Sequence, residues 1–156
     1  MTKSNNKKIE NFVKKAYIYI GYFLKISLVI YLILSFRRGN PEPVFWFMAI
    51  SLALAGILIT KKGIPYVSTD LIYATIFFLI AIVTGGSLTL FGEGFSAYHI
   101  FIKGHFMLES ILTGLTFGIY SATLIGILFG SMYFIDAIIE LLVFLLKKDK
   151  RPIKIF

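Results

Sequence analysis

The chain contains no cysteine, only two histidines, and only eight acidic residues against 16 Lys and Arg. Without cysteine there is no disulfide, no thiolate nucleophile and no Cys-based zinc or iron–sulfur site. The common catalytic signatures are missing as well. No Ser sits in a G-x-S-x-G elbow, and no Walker loop, dinucleotide fingerprint or HExxH pattern occurs. Gly92-Glu93-Gly94 is too short to cradle a phosphate. Neither a long-period repeat nor a low-complexity segment is present.

Apolar residues fill the space that polar ones leave. The 156 residues are 58% hydrophobic, with a mean hydropathy of +0.84, well beyond an ordinary soluble domain. A water-soluble fold of this composition lacks the polar residues to cover its surface, whereas lipid solvates the outer face of a membrane helix. The expected fold is therefore all-α, a polytopic membrane bundle of about four transmembrane helices, with five as the other count. The lipid bilayer is its first partner.

The net charge of +8 is placed at the ends, in Lys3, Lys7, Lys8, Lys14 and Lys15, then Lys147, Lys148, Lys150, Arg151 and Lys154. Both clusters abut apolar runs, which is the pattern of the positive-inside rule and not of nucleic-acid binding. The first apolar stretch is long, is interrupted by Lys25 and lacks a small-x-small cleavage site before Arg37 and Arg38. It reads as a retained signal-anchor helix.

Along the chain, residues 1–15 read as a basic cytoplasmic tail and 147–156 as a second. Between them, 16–146 forms a single transmembrane domain with spans at about 17–36, 44–60 and 71–91 and one crossing within 106–146. Arg37 to Pro43 reads as a loop whose two prolines stop helix propagation. Phe45-Trp46-Phe47 suits a membrane–water interface, and Ser68, Thr69 and Asp70 offer N-caps for the third span. Gly85-Gly86 either kinks that span or admits a neighbour closely. Residues 92–105 read as the longest connection, lying at the interface.

The last apolar stretch, Phe106 to Leu146, has 41 residues, about twice one crossing. It can cross once and project, cross once and continue along the interface, or cross twice with a turn near Gly130-Ser131. Charge decides. Four crossings with the N-terminus inside leave 12 Lys and Arg inside against 3 outside; five give 7 against 8. The rule favours four crossings with both termini cytoplasmic, in the inner (plasma) membrane of a bacterium.

Three constellations stand out. Ser110, Gly114, Gly118, Ala122, Gly126 and Gly130 recur every four residues and share one helix face, a glycine-zipper pattern that lets another backbone approach. This face either packs the second helix, where Ser51-x-x-x-Ala55 offers a small counterpart, or joins another copy or another membrane protein. On either reading, leucine at Gly118 or at Gly126 should disrupt packing. Second, Lys25, Asp136 and Glu140 are charges within spans. Lys25 pairs with one of the two acids, or all three reach headgroup water, or the acids relay ions. Third, His99, His105 and Glu109 cluster at the outer mouth of the last helix. They lack the further ligands of a metal site, and both histidines sit in one segment, which does not suit haem. No cofactor, metal or catalytic residue is expected.

These features point to a non-catalytic bacterial inner-membrane protein that recognises another membrane protein through intramembrane helix packing. Immunity to a pore-forming bacteriocin, or exclusion of phage or conjugative elements, fits the size and build by analogy. The alternative is a small subunit of a transporter, channel or secretion complex, with Asp136 and Glu140 lining a path.

Overall fold

The computed structural model describes the chain over 3–59, 65–102 and 106–146, with side chains over 15–16, 18–59, 66–87 and 110–145. Four helices account for these residues: α1 (Lys3–Arg37), α2 (Glu42–Ile59), α3 (Pro65–Ile102) and α4 (Phe106–Leu146). Each contains a stretch long and apolar enough to cross a bilayer, namely Ile18–Arg37, Glu42–Ile59, Tyr66–Ser87 and Ser110–Leu145. This is a multi-pass helical membrane protein. The last apolar stretch is one unbroken helix, without the turn near Gly130-Ser131 that a double crossing needs.

The link between α1 and α2 shows why the chain turns where it does. Gly39 takes a positive φ of 74°. Its N–H donates to Phe36 O at 3.0 Å, while Asn40 N–H donates to Ser35 O, also at 3.0 Å. That pair of bonds is a Schellman close, and the left-handed residue it needs is the glycine. Asn40 then caps the next helix, its Oδ1 accepting from Glu42 N–H at 3.1 Å. Pro41 stands between this cap and Glu42, the first residue of α2, and its carbonyl accepts the first bonds of the helix, from Val44 and Phe45 N–H, while its own missing N–H costs nothing there. The prolines expected to stop a helix therefore start one.

Other expected boundaries shift. The basic segment read as a tail is helical from Lys3. Ser68, Thr69 and Asp70 lie inside α3, which begins at Pro65, so they are not its caps. Residues 92–102, expected as a connection, are helical and belong to α3. A continuous helix satisfies the backbone internally wherever apolar surroundings offer no partner, and α3 runs through Gly85-Gly86 without a break.

Helix α3 is central. It packs on α4 along one side and on α2 along another, while α1 leans on α4 and touches α2 only lightly. The core consists of Val44, Ala55 and Leu58 from α2, Val67, Leu71, Ala74, Phe78 and Ala81 from α3, and Ile127, Phe134 and Ala137 from α4. Leu32 is the contribution of α1. Only 17% of the α1 span is buried, so most of its surface faces outward. Hydroxyls inside the bundle bond back to their own helix, as Ser51 does to Phe47 O and Ser131 to Ile127 O, both at 2.7 Å. This leaves neither of these two buried Ser hydroxyls unsatisfied.

Candidate functional site: a divided glycine face and an intramembrane ion pair

The small-residue face of α4 divides in two. In its lower half the neighbour is α3, not the Ser51–Ala55 face of α2. A Cβ built on Gly126 would meet Phe77 O at 2.7 Å and Ala81 N at 2.9 Å, which is backbone against backbone. One turn on, a Cβ at Gly130 would meet the Phe78 ring at 2.7 Å. Rings close the seam on both sides. Phe77 stacks between Phe129 and Tyr133, with centroids 5.3 and 5.7 Å away. Phe47, Phe78 and Phe134 form a cluster joining α2, α3 and α4.

The upper half is open. Among the described residues, a Cβ at Gly114 or Gly118 would meet nothing within 4 Å; Ser110 is exposed, and Ala122 is half-buried. Around them Ile111, Leu115, Phe117 and Tyr120 are exposed, Phe117 by 72%. Within this chain, leucine at Gly126 has a neighbour to displace, whereas among the described residues Gly118 has none, so there the expected disruption would fall on packing against a partner. Thr123 marks the changeover, donating to Thr84 Oγ1 across the α3–α4 seam at 2.8 Å.

The intramembrane charges lie toward the other end. Lys25 Nζ is 2.6 Å from Asp136 Oδ1, with 9% and 21% of the two side chains exposed. That oxygen is enclosed and, among the described residues, accepts no well-directed hydrogen bond, so the contact is an ion pair rather than a directed bond. The ammonium also lies 5.5 Å from the Tyr22 ring centroid, one turn back on α1. Glu140 is half-buried, one turn from Asp136 on α4. The pair forms because α1 approaches α4 closely at Gly21, where a Cβ would meet Ile139 Cδ1 at 2.9 Å. Gly21 gave no signal alone; read with Lys25 four residues on, it marks the small-residue contact.

A cleft of about 200 Å³ opens between α1, α3 and α4 near Arg37, lined by Ile33, Phe36, Tyr120 and Thr123 among others. Phe36 covers Gly85 so closely that a Cβ there has no room. Of the two expected roles for Gly85, close approach of a neighbour is the one realised. The third constellation lies outside the described residues, both His105 as a whole and the side chains of His99 and Glu109. Comparison with protein-family models, curated proteins and solved structures finds no match to this chain.

Proposed function

We propose that this is a non-catalytic membrane protein that recognises another membrane protein by helix packing, with the open half of the α4 face as the docking surface. One observation carries the reading. A single helix face is closed by α3 at Gly126 and Gly130 and left open at Gly114 and Gly118. Such a face has almost no side-chain relief, so a second helix gains van der Waals contact along its whole length. A partner helix would continue the seam that α3 begins.

Length supports the same reading. Arg37, at the end of the α1 span, lines the same cleft as Thr123 of α4. From that level α4 still carries apolar sequence back to Ser110, some 20 Å at 1.5 Å per residue. The exposed apolar side chains there, Leu115 and Phe117 among them, extend beyond α1 and α2 and call for cover by protein. In this reading the membrane is the bacterial inner membrane, both termini are cytoplasmic, and the setting is immunity to a pore-forming toxin or exclusion of an invading element. The partner helix belongs to the toxin, to its membrane receptor or to the invader. The transporter-subunit alternative needs Asp136 on an open path, and Asp136 is engaged by Lys25.

The test is a photo-crosslinking amino acid at Leu115, with Leu52 on the exposed face of α2 as control, in native membranes. The reading expects a discrete protein adduct from 115, none from 52, and its loss in Gly118→Leu at unchanged protein level. Equal adducts from both positions, or an adduct from 115 that survives Gly118→Leu, would overturn it.

A further inference from the structure

The cleft near Arg37 has a chemistry of its own. Its floor is apolar, built by Ile33 and Phe36 of α1 with Leu124 and Ile127 of α4. Thr123 is the buried hydroxyl in the lining, and its hydrogen is already committed within the protein, to Thr84 Oγ1 at 2.8 Å or Ile119 O at 3.0 Å. The charge at the rim is the Arg37 guanidinium, with Arg38 next to it in sequence and both exposed. Among the described residues neither arginine forms an ion pair.

We infer that the cleft is a binding site for one anionic phospholipid, an acyl chain lying in the groove and the headgroup phosphate on Arg37. The volume suits part of a chain. A cavity of about 150 Å³ accommodates benzene, so about 200 Å³ holds roughly eight carbons. Position suits a lipid too, because Arg37 ends a 20-residue span whose length matches the hydrocarbon core. That puts the guanidinium at headgroup level with the groove running into the acyl region below it. Free phosphate would use the guanidinium and leave the apolar floor idle. The planar fork of an arginine matches two phosphate oxygens at once, which an ammonium does not. One such cation near a lipid surface favours an anionic over a zwitterionic headgroup by about five-fold.

The experiment uses the full-length protein in nanodiscs with phosphatidylglycerol or phosphatidylcholine carrying the same diazirine-labelled acyl chain. Phosphatidylglycerol should label about five times more strongly, with adducts in the peptides holding Ile33–Arg37 and Tyr120–Ile127. Arg37→Gln, a change at an exposed side chain, should erase the preference while leaving the unfolding temperature unchanged. Leu124→Trp, which fills the groove, should remove labelling by both lipids from these peptides. Equal labelling of the wild type by the two lipids, or a preference that survives Arg37→Gln, would overturn the assignment. Abolition of the preference by inorganic phosphate would transfer the site to a free anion and overturn the lipid. Arg37→Gln decides the matter even where the tryptophan variant fails to fold.

Discussion

Two single-methyl additions, Gly126→Ala and Gly118→Ala, should have opposite effects, and the size of the difference follows from the α3–α4 seam. At Gly126 the new carbon falls 2.7 Å from Phe77 O and 3.0 Å from Ala81 Cβ, where ordinary contact starts at 3.4 Å. The shortfall is therefore about half an ångström or more, against helical backbone that cannot swing aside. The two helices must part by that amount, and a gap of this size forfeits about a quarter to a half of each contact's dispersion energy. Overpacking of this kind costs about 1–3 kcal/mol, and backbone obstruction places it near the top of the range. Alanine's better helix propensity returns up to about 1 kcal/mol. The net loss is then about 1–2 kcal/mol, a five- to thirty-fold fall in the folded-to-unfolded ratio. At Gly118 a Cβ meets nothing within 4 Å among the described residues, so only the propensity gain remains. Reversible unfolding by steric trapping in bicelles would read both variants against wild type. Indistinguishable stabilities for the two, or a Gly118→Ala loss equal to that of Gly126→Ala, would refute the divided face.

The other perturbations test α1. Lys25→Ala strands the Asp136 carboxylate and should cost about 3 kcal/mol in the same assay, whereas Lys25→Leu with Asp136→Leu should be neutral or stabilising; equal losses for the single and double variants would show that the pair is not the source. Exchange of the charges, Lys25→Asp with Asp136→Lys, should recover most of the loss, while a Lys25–Glu140 exchange should not. Phe36→Ala uncovers Gly85 and should cost about 2 kcal/mol, less than the ~3–5 kcal/mol of a fully buried Phe because the ring is half-buried. Gly85→Ala in that background should then be tolerated, and a Gly85→Ala that is harmless in the wild type would sink the Phe36 contact.

The four spans were legible because hydropathy reports the solvent directly, and Lys25 was legible because a lone cation inside an apolar run needs a partner. Which acid it meets was not. Asp136 and Glu140 share a helix face, and the choice depends on how far α1 slides along α4, which Gly21 and Ile139 set by contact. The partner of Gly126 was missed for a similar reason. Ser51-x-x-x-Ala55 offers the spacing expected of a counterpart, but Ala81-x-x-x-Gly85 on α3 has it too. Two candidate helices with equal patterns cannot be ranked from spacing alone. Residues 92–102 were read as a connection because their mixed polarity breaks the apolar run. Helix α3 continues through them nonetheless, so the end of an apolar pattern marks a change of surroundings rather than the end of a helix.

Lipid alone cannot easily cover the open part of α4. Its apolar stretch, Ser110–Leu145, has 36 residues, about 54 Å of helix. To fit a hydrocarbon core of about 30 Å it would have to tilt by roughly 56°, beyond the ~40° limit seen for membrane helices. Such a tilt would carry α1 with it, because Lys25 is tied to Asp136 and Gly21 rests on Ile139. Yet α1 and α2 have apolar spans of only 20 and 18 residues, which match the core when upright and fall short of it when strongly inclined. Thickening the bilayer around α4 would bury the charged ends of those same two helices, Arg37 and Glu42, in hydrocarbon. The short spans of α1 and α2 favour an upright bundle, in which the surplus of α4 would rise beyond those two helices beside the continuing α3, with exposed Ile111, Leu115 and Phe117 to cover. A partner helix against Gly114 and Gly118 removes that surface at no cost in tilt or in buried charge, which is the physical case for looking there first.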